Sequence, residues 1–271
     1  MRERLTGSAA GVAALVFSLI CILASWCGAR AQAAPPQAAA KSQTAPTDLS
    51  GVWRRSRRPP DNAKRYTLGD VVNYLTHVEP PMTARGEAKF KANKPNLGPR
   101  AVPLAESNDP VISCFPPSVP RLYTQRLGAP FEIMQIPGRV MMFFEFDHFV
   151  RAIYTDGRQH PKDLNPTWMG DAIGKWEGDT LVVDTVGFND KTWLDNDGHP
   201  HSEDLHVVER MRRVNHDTLT IDTTIEDAKA YTKPWGGHAV YDLKPDWNIG
   251  EMVCEDNVTF SDMQKKTEGK N

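Results

Sequence analysis

Two short segments with nearly the same pattern constrain the fold of this chain more than any other feature. The stretches "GDTLVVDT" (178–185) and "HDTLTIDT" (216–223) share Asp-Thr-Leu and Asp-Thr at matching positions. In each, a turn residue leads into a strand whose apolar and polar residues alternate, which is typical of a half-buried β-strand. We therefore predict two equivalent hairpins of one antiparallel sheet, with four core-facing side chains: Leu181, Val183, Leu219 and Ile221.

The same pattern continues through most of the second half of the chain. Apolar-alternating segments bounded by turn residues occur at 131–157, 169–188, 205–227 and 239–254. Because closing a meander removes exposed strand edges, we predict a mainly β fold, an antiparallel up-and-down barrel. Before it, the sequence predicts one or two short helices, at 68–78 and at 82–93 with Thr83 as N-cap, and a proline-rich N-terminal wrap over 95–130.

The first residues have the pattern of an export signal. The basic start "MRER" precedes the apolar stretch "AAGVAALVFSLICILASWC", and small residues follow around Ala31 to Ala33. An uncleaved membrane anchor is the alternative. The predicted organisation is a signal peptide (1–33), a linker (34–47), a single barrel domain that includes the wrap (48–262) and a disordered tail (263–271). We expect a periplasmic or secreted protein with no stable membrane insertion after cleavage.

Cysteine usage and charge narrow the class further. After cleavage only Cys114 and Cys254 would remain, and two cysteines in an exported protein usually pair. Two buried thiols are the alternative. The formal net charge is −2, so there is no basic excess to drive nucleic-acid binding. One basic cluster, at 54–65, is interpreted as a solvated strand edge.

Two resemblances support the barrel. Gly51-x-Trp53 at the start of a strand, together with the "WEGDTL" hairpin, resembles lipocalin-like (calycin-type) barrels. The stretch 131–254 also resembles a group of secreted bacterial proteins of unassigned activity, through "IYTDGRQHP", "NPTWMGDAIGKWEGDTLVVDTVGF" and "KPW". The resemblance implies a barrel with an internal cavity, and it transfers no catalytic residue.

Alternation along 143–154 predicts which side chains face that cavity. Phe144, Phe146, His148, Val150, Ala152 and Tyr154 fall on one face, which is the more apolar one. We therefore expect His148 and Tyr154 to contact a ligand inside the barrel, although a core histidine is the alternative. The opposite face would carry Asp147 and Arg151 outward, to pair with Asp184 or Arg210 on neighbouring strands.

The segment after this strand carries side chains suited to a polar site. In "YTDGRQHPKD" (154–163), Arg158 can hold an anionic or carbonyl oxygen, and His160 can move a proton near neutral pH. Asn165 and Trp168 follow and are candidate substrate contacts. The alternatives are that Arg158 and His160 tie loop carbonyls and that Trp168 plugs the core.

The segment 187–206 is the richest in polar side chains. It connects two hairpins, and it contains Asn189, Asp190, Trp193, Asp195, Asp197, His199, His201 and Glu203. His199, His201 and Glu203 offer a mixed ligand set with His160 as a fourth ligand, but no established metal motif is present. We favour a site without metal, in which His160, His199 or His201 moves a proton and Asp190 or Asp195 orients it. Trp193 would contact the substrate, and a purely structural loop is the alternative.

Strand parity predicts that these segments meet. In a meander, connections alternate between the barrel ends, so 156–160 and 189–203 should form one site at the same end. A base, an acid and an oxygen-holding arginine suit proton abstraction. We therefore expect an exported enzyme, a lyase, isomerase or hydrolase of a small organic molecule, that needs no cofactor. The alternative is a carrier of a small apolar ligand.

Overall fold

The computed structural model describes residues 47–56, 79–124 and 129–256. It is mainly β, and nine strands form a closed barrel in which each strand pairs with the next and β9 pairs with β1. The strands are β1 (Gly51–Arg55), β2 (Phe131–Ile136), β3 (Arg139–Phe144), β4 (Val150–Tyr154), β5 (Asp171–Glu177), β6 (Thr180–Val186), β7 (His206–Asn215), β8 (Thr218–Glu226) and β9 (Trp235–Leu243).

The two similar sequence segments form equivalent hairpins, as predicted. β5 and β6 join at Gly178 and Asp179, β7 and β8 join at His216 and Asp217, and β6 pairs with β7 in the same sheet. Gly178 has a φ of 64°, the left-handed conformation that tight hairpin turns require. The four predicted core side chains of these hairpins are 0% exposed: Leu181, Val183, Leu219 and Ile221.

The pairing of β4 with β5 departs from the predicted meander. Every neighbouring pair is antiparallel except this one, in which Tyr154 lies opposite Ile173 in a parallel arrangement. A parallel pair needs a crossover of about a dozen residues or more, and the connection 155–170 supplies it. The barrel is therefore mixed, and the prediction of an antiparallel order throughout is wrong at this pair.

The predicted strand over 143–154 is also wrong, because it is two strands. Asp147 and His148 both have a φ of 52° in the turn between β3 and β4. This turn reverses the chain and resets the alternation, so Arg151 and Ile153 point inward in β4 and Val150 is exposed. His148 lies on the exposed turn, and Tyr154 lies on the outer face beside Arg158, so neither lines the interior.

The helices are short and lie outside the sheet. Helix α1 (Ala84–Ala92) confirms the predicted helix at 82–93, and the Thr83 side chain caps it by accepting from the Gly86 amide. A second helix, α2 (Arg121–Thr124), follows two 3₁₀ turns at Leu104–Glu106 and Pro110–Ser113. No helix among the described residues is long and apolar enough to cross a membrane. The predicted signal peptide, the helix at 68–78 and the tail lie outside the described residues.

The two ends of the barrel differ. One end, here called the turn end, carries the tight turns 137–138, 178–179 and 216–217. The other, the loop end, carries the connections 187–205 and 227–234. Both helices pack at the loop end: the Thr83 amide donates to the Ala230 carbonyl, and the Arg121 side chain donates to Asn196.

A disulfide joins Cys114 to Cys254, as predicted. It closes a loop of 140 residues that contains all of β2 to β9. In the chain-entropy description, a loop of this length stabilises the fold by about 4–5 kcal/mol, because it restricts the unfolded chain.

We expect the double variant Cys114→Ser/Cys254→Ser to lose about 2–5 kcal/mol of unfolding free energy. Urea denaturation of the two proteins, under non-reducing conditions, measures the difference. The unmodified chain in the presence of reductant should match the variant. A variant as stable as the oxidised chain would contradict this expectation.

Candidate functional site

The barrel interior contains a buried ion pair across strands that are not neighbours. Arg151 on β4 donates to the Glu209 carboxylate on β7 at 2.5 Å, and the two side chains are 1% and 0% exposed. The same guanidinium donates to Thr185 Oγ1 at 2.9 Å and to the hydroxyl of Tyr123 on α2. The interior therefore contains a polar group near the loop end, whereas most of the other buried side chains are aliphatic or aromatic, among them Trp53, Ile133, Leu181 and Tyr241.

Burial makes this pair interdependent. Burial disfavours the charged guanidinium of Arg151, but the Glu209 carboxylate and then Tyr123 outweigh it and raise the pKa of Arg151. Arg151 Nε and Glu209 Oε1 have no hydrogen-bond partner among the described residues. Removing either member would therefore leave an uncompensated buried charge.

A histidine–carboxylate pair lies at the loop end. Asp195 and His199 belong to the connection 187–205, and both are 1% exposed. His199 Nδ1 lies 2.5 Å from Asp195 Oδ2, and the other carboxylate oxygen accepts from the His199 amide at 3.2 Å. On the far side of the ring, His199 Nε2 lies 3.1 Å from Glu79 Oε1. One ring nitrogen is thus held by a buried acid, and the other faces an acid whose side chain is 58% exposed.

The electrostatics of this pair favour an imidazolium. Burial disfavours the charged form of His199, but the carboxylates of Asp195 and then Glu79 outweigh it and raise the pKa of His199 to about 9. Burial likewise opposes the charged form of Asp195, yet the neighbouring imidazolium lowers the pKa of Asp195. At neutral pH the pair is therefore an imidazolium held by a carboxylate.

Aromatic rings enclose the imidazole of His199. Phe90 on α1 stacks on it at a centroid distance of 4.6 Å, and Trp235 at the start of β9 lies at 5.7 Å. Tyr231 packs on Trp235, and its hydroxyl donates to the Pro200 carbonyl. Trp235 Nε1 is buried and has no hydrogen-bond partner among the described residues.

Helix α1 reaches this position because Gly86 allows a close approach. A Cβ on Gly86 would lie 2.2 Å from the Ala230 carbonyl oxygen, a distance that no side chain can occupy. The approach brings Asn93 to the Gly198 carbonyl at 2.8 Å and Lys89 to Asp190 at 3.2 Å.

A second buried ion pair holds the connection 187–205 in place. Arg121 on α2 donates through both terminal nitrogens to Asp109, at 2.8 and 2.5 Å. It also donates to the amide oxygen of Asn196, next to Asp195 in the chain. The guanidinium of Arg121 lies 5.5 Å from the ring centre of Trp193, and Trp193 is buried. Trp193, which was predicted to contact the substrate, therefore packs against the residues that hold this connection in place.

His201 differs from His199 although both are buried. Its Nδ1 lies 3.1 Å from the Ser202 carbonyl, and Nε2 has no partner among the described residues. Burial is the main cause that lowers the pKa of His201, so this ring is neutral at neutral pH. A neutral ring without an acid to orient it is a poorer acid–base group than His199.

His160 does not join the two histidines of the connection. It lies on the outer wall of the barrel, with Nδ1 2.5 Å from Asp171 and Nε2 3.2 Å from Asp184. Arg158 forms an exposed ion pair with Asp156 and covers the ring of Tyr154. These contacts do not form the single joint site that was predicted. The prediction assumed that the connections alternate between the two ends of the barrel, and the parallel pairing of β5 with β4 breaks this alternation.

The remaining predicted site residues are spread over the surface of the barrel. Asp190 pairs with Lys89 in solvent, and Asn165 is exposed. Trp168 stacks on Phe115 at 5.4 Å and lies 6.0 Å from Lys191. These contacts do not bring Asn165, Trp168 or Asp190 to the ring of His199.

Several contributors to the two buried sites were missed from the sequence, among them Glu79, Phe90 and Glu209. Glu79 and Phe90 lie between β1 and β2, in a segment for which no strand alternation gives a register. Glu209 had a signal, because alternation places it on the inward face of β7 between Val207 and Met211. An acid between two buried apolar residues indicates a buried partner, and Arg151 is that partner.

Comparison with known proteins adds no identity. No protein family, curated protein or solved structure matches the chain. Within the described ranges, no group of three or more His, Cys, Asp or Glu side chains could hold a metal ion.

We expect Arg151→Met to lower the unfolding free energy by about 3–5 kcal/mol, because Glu209 would remain buried without its partner. The double variant Arg151→Met/Glu209→Leu should recover most of this loss. Chemical denaturation measures both. The matched control is Arg210→Met, which breaks the exposed pair with Glu177 and should cost less than about 1 kcal/mol. If Arg151→Met and Arg210→Met lowered the unfolding free energy by the same amount, the role of burial would be contradicted.

We expect NMR titration to give His199 a pKa of about 9. Glu79→Gln should lower this pKa, since it removes one of the two carboxylates. In the folded protein the pKa of His199 lies above its ordinary value of about 6.5. Protonation of His199 therefore stabilises the fold fully below pH ~6.5, and this stabilisation is lost as pH rises through 9. His199→Gln should abolish this part of the pH dependence of unfolding. A pKa of His199 below its ordinary value would refute the assignment.

Proposed function

We propose that this protein is an exported enzyme that uses the Asp195–His199 pair for acid–base chemistry on a small organic molecule. The observation that carries the proposal is the two-sided geometry of the imidazole. Asp195 holds Nδ1 at 2.5 Å, while Nε2 faces the exposed acid Glu79 at 3.1 Å. An oriented histidine with its second nitrogen toward an accessible group is the arrangement that acid–base catalysis needs.

The charge of His199 determines its role. An imidazolium has a proton to give, so His199 acts as a general acid that protonates a leaving group or a carbonyl oxygen. Asp195 is the orienting residue and stabilises the positive charge. The proposed chemistry uses the His199 proton itself, with a carboxylate at each ring nitrogen. The reaction classes that fit are those of a lyase, an isomerase or a hydrolase.

Glu79 occupies the position that a substrate oxygen would take. Its side chain is largely exposed, so it can leave Nε2 without leaving a buried charge behind. A substrate carbonyl or carboxylate oxygen would replace it there. The rings of Phe90 and Trp235 would contact the body of the substrate, because both lie beside the imidazole.

The proposal also concerns the family and the cellular location. Gly51-x-Trp53 in β1 and the closed barrel support a lipocalin-like architecture with a proline-rich wrap at the loop end, although the parallel β4–β5 pair departs from an up-and-down order. The Cys114–Cys254 disulfide supports export to the periplasm or medium, where such bonds persist. A carrier of an apolar ligand is less well supported, because the aliphatic and aromatic side chains of the barrel interior are buried against one another.

The test is a turnover assay on a panel of small substrates: aryl esters, lactones, epoxides, β-hydroxy ketones, and ketones whose α-proton exchange is followed by NMR. We expect at least one member to be turned over, with kcat/KM reduced by about 100-fold or more in His199→Gln, because general acid catalysis contributes about 10²–10⁴-fold. The activity should fall at high pH as His199 deprotonates, and Glu79→Gln should move this decline to lower pH.

The matched control is His216→Gln, at an exposed hairpin turn where the ring also contacts an aspartate. It should retain full activity. A panel without any turnover, or an activity that His199→Gln leaves unchanged, would overturn the proposal.

A further inference from the structure

The outer face of β2, β3 and β4, here called the apolar wall, lacks the polar side chains that usually cover the solvent side of a sheet. Three of its side chains are 41%, 49% and 48% exposed: Met134, Ile136 and Val150. Four others lie beside them on the same face and are partly exposed: Met141, Phe143, Ala152 and Tyr154. A contiguous exposed apolar patch on a protein surface usually marks an interaction site.

Strand register arranges the apolar wall in three rows that run across the strands. Met134 on β2 lies opposite Met141 on β3, which lies opposite Ala152 on β4, and these residues form the middle row. The row nearer the loop end consists of Glu132, Phe143 and Val150. The row nearer the turn end consists of Ile136, Arg139 and Tyr154. Each outer row is thus apolar apart from one charged residue, an acid in one row and a base in the other.

The two charges of the apolar wall are not paired within the chain. Among the residues that the structure describes, neither Glu132 nor Arg139 forms an ion pair, and the guanidinium of Arg139 lies 5.2 Å from the ring centre of Tyr154. The two charged residues stand four positions apart along the strands, about 13 Å, so they do not reach each other. On another wall of the barrel, by contrast, Arg210 pairs with Glu177 at 3.0 Å.

This arrangement is complementary to itself. When a two-fold axis runs along the middle row, Met134 and Met141 face the same residues of a second copy, and the two outer rows exchange places. Glu132 then faces the partner's Ile136, at one strand spacing, about 4.8 Å, from the partner's Arg139. The symmetry repeats this contact, so two ion pairs form on either side of an apolar centre. A second copy of the chain therefore matches both the apolar side chains and the unpaired charges.

We propose that the protein forms a two-fold symmetric dimer through the apolar wall, in which Glu132 of each copy pairs with the partner's Arg139. His199 lies at the loop end and outside this wall, so the dimer does not depend on the proposed function. A patch three strands wide is smaller than a standard protein interface, and the dimer should therefore dissociate on dilution.

Sedimentation velocity of the full chain, over about 1–200 μM, tests the proposal in the concentration range of weak interfaces. We expect the mass to double as the concentration rises. Ile136→Arg should weaken dimerisation by more than tenfold, because it places a charge in the apolar centre. The matched control is Val214→Arg, on β7, which replaces a side chain that is 43% exposed outside the apolar wall and should leave the dimer unchanged. Circular dichroism verifies the fold of each variant.

A charge exchange tests the register of the two copies. Glu132→Arg and Arg139→Glu should each weaken dimerisation by more than tenfold, because each sets like charges against each other, and the double variant should restore it to within about threefold. Met141→Cys, close to the axis, should form a disulfide-linked dimer under mild oxidation, whereas Val214→Cys should not.

Four outcomes would overturn the proposal. They are a monomer at every concentration, an association that Ile136→Arg leaves unchanged, a double charge variant that stays as weak as the single ones, and equal crosslinking of Met141→Cys and Val214→Cys. A monomer that binds phosphatidylcholine vesicles and loses this binding in Ile136→Arg would assign the apolar wall to a lipid surface instead.

Discussion

The buried ion pair between Arg151 and Glu209 is the interaction on which the rest of the loop end depends. It spans the interior from β4 to β7, which are not neighbours in the sheet, so it fixes how opposite walls of the barrel face each other. Tyr123 connects the pair to α2, and Arg121 on the same helix supports the connection that carries Asp195 and His199. The position of His199 thus depends on these buried ion pairs, because loss of one partner would leave an unpaired buried charge.

Burial also explains why the two histidine–carboxylate groups differ in chemistry. The carboxylate of Asp195 is enclosed and accepts from both the ring and the backbone of His199, so the pair keeps its geometry whatever binds at Nε2. The outer-wall group of His160, Asp184 and His206 is half-exposed, and its members come from the crossover and two different strands. A rigid, desolvated pair suits repeated proton transfer, whereas the ion pairs of the outer-wall group are partly exposed to solvent.

Local patterns in the sequence predicted the hairpins, the disulfide and helix α1, because period-two alternation, isolated cysteines and a capping threonine act over short distances. Alternation failed where a turn interrupted it. The turn at Asp147 and His148 reset the register, so Arg151 was assigned to the outside although it is the most important interior charge. Asp195 and His199 were recognised as candidates from composition alone. Their partner Glu79 was not, since its contact spans 120 residues and no local pattern encodes it.

The crossover 155–170 shows how the direction of one strand determines where the histidines lie on the barrel. An antiparallel β5 would have begun at the turn end and left His160 there, close to Arg158. The parallel β5 instead begins at the loop end, so the chain must cross the outer wall to reach it, and this path carries His160 to Asp184 beside His206. His199 and His201 are therefore buried at the loop end, whereas His160 and His206 lie on the outer wall, partly exposed. This division follows from strand direction rather than from spacing in the sequence, since His199 and His206 are only seven positions apart.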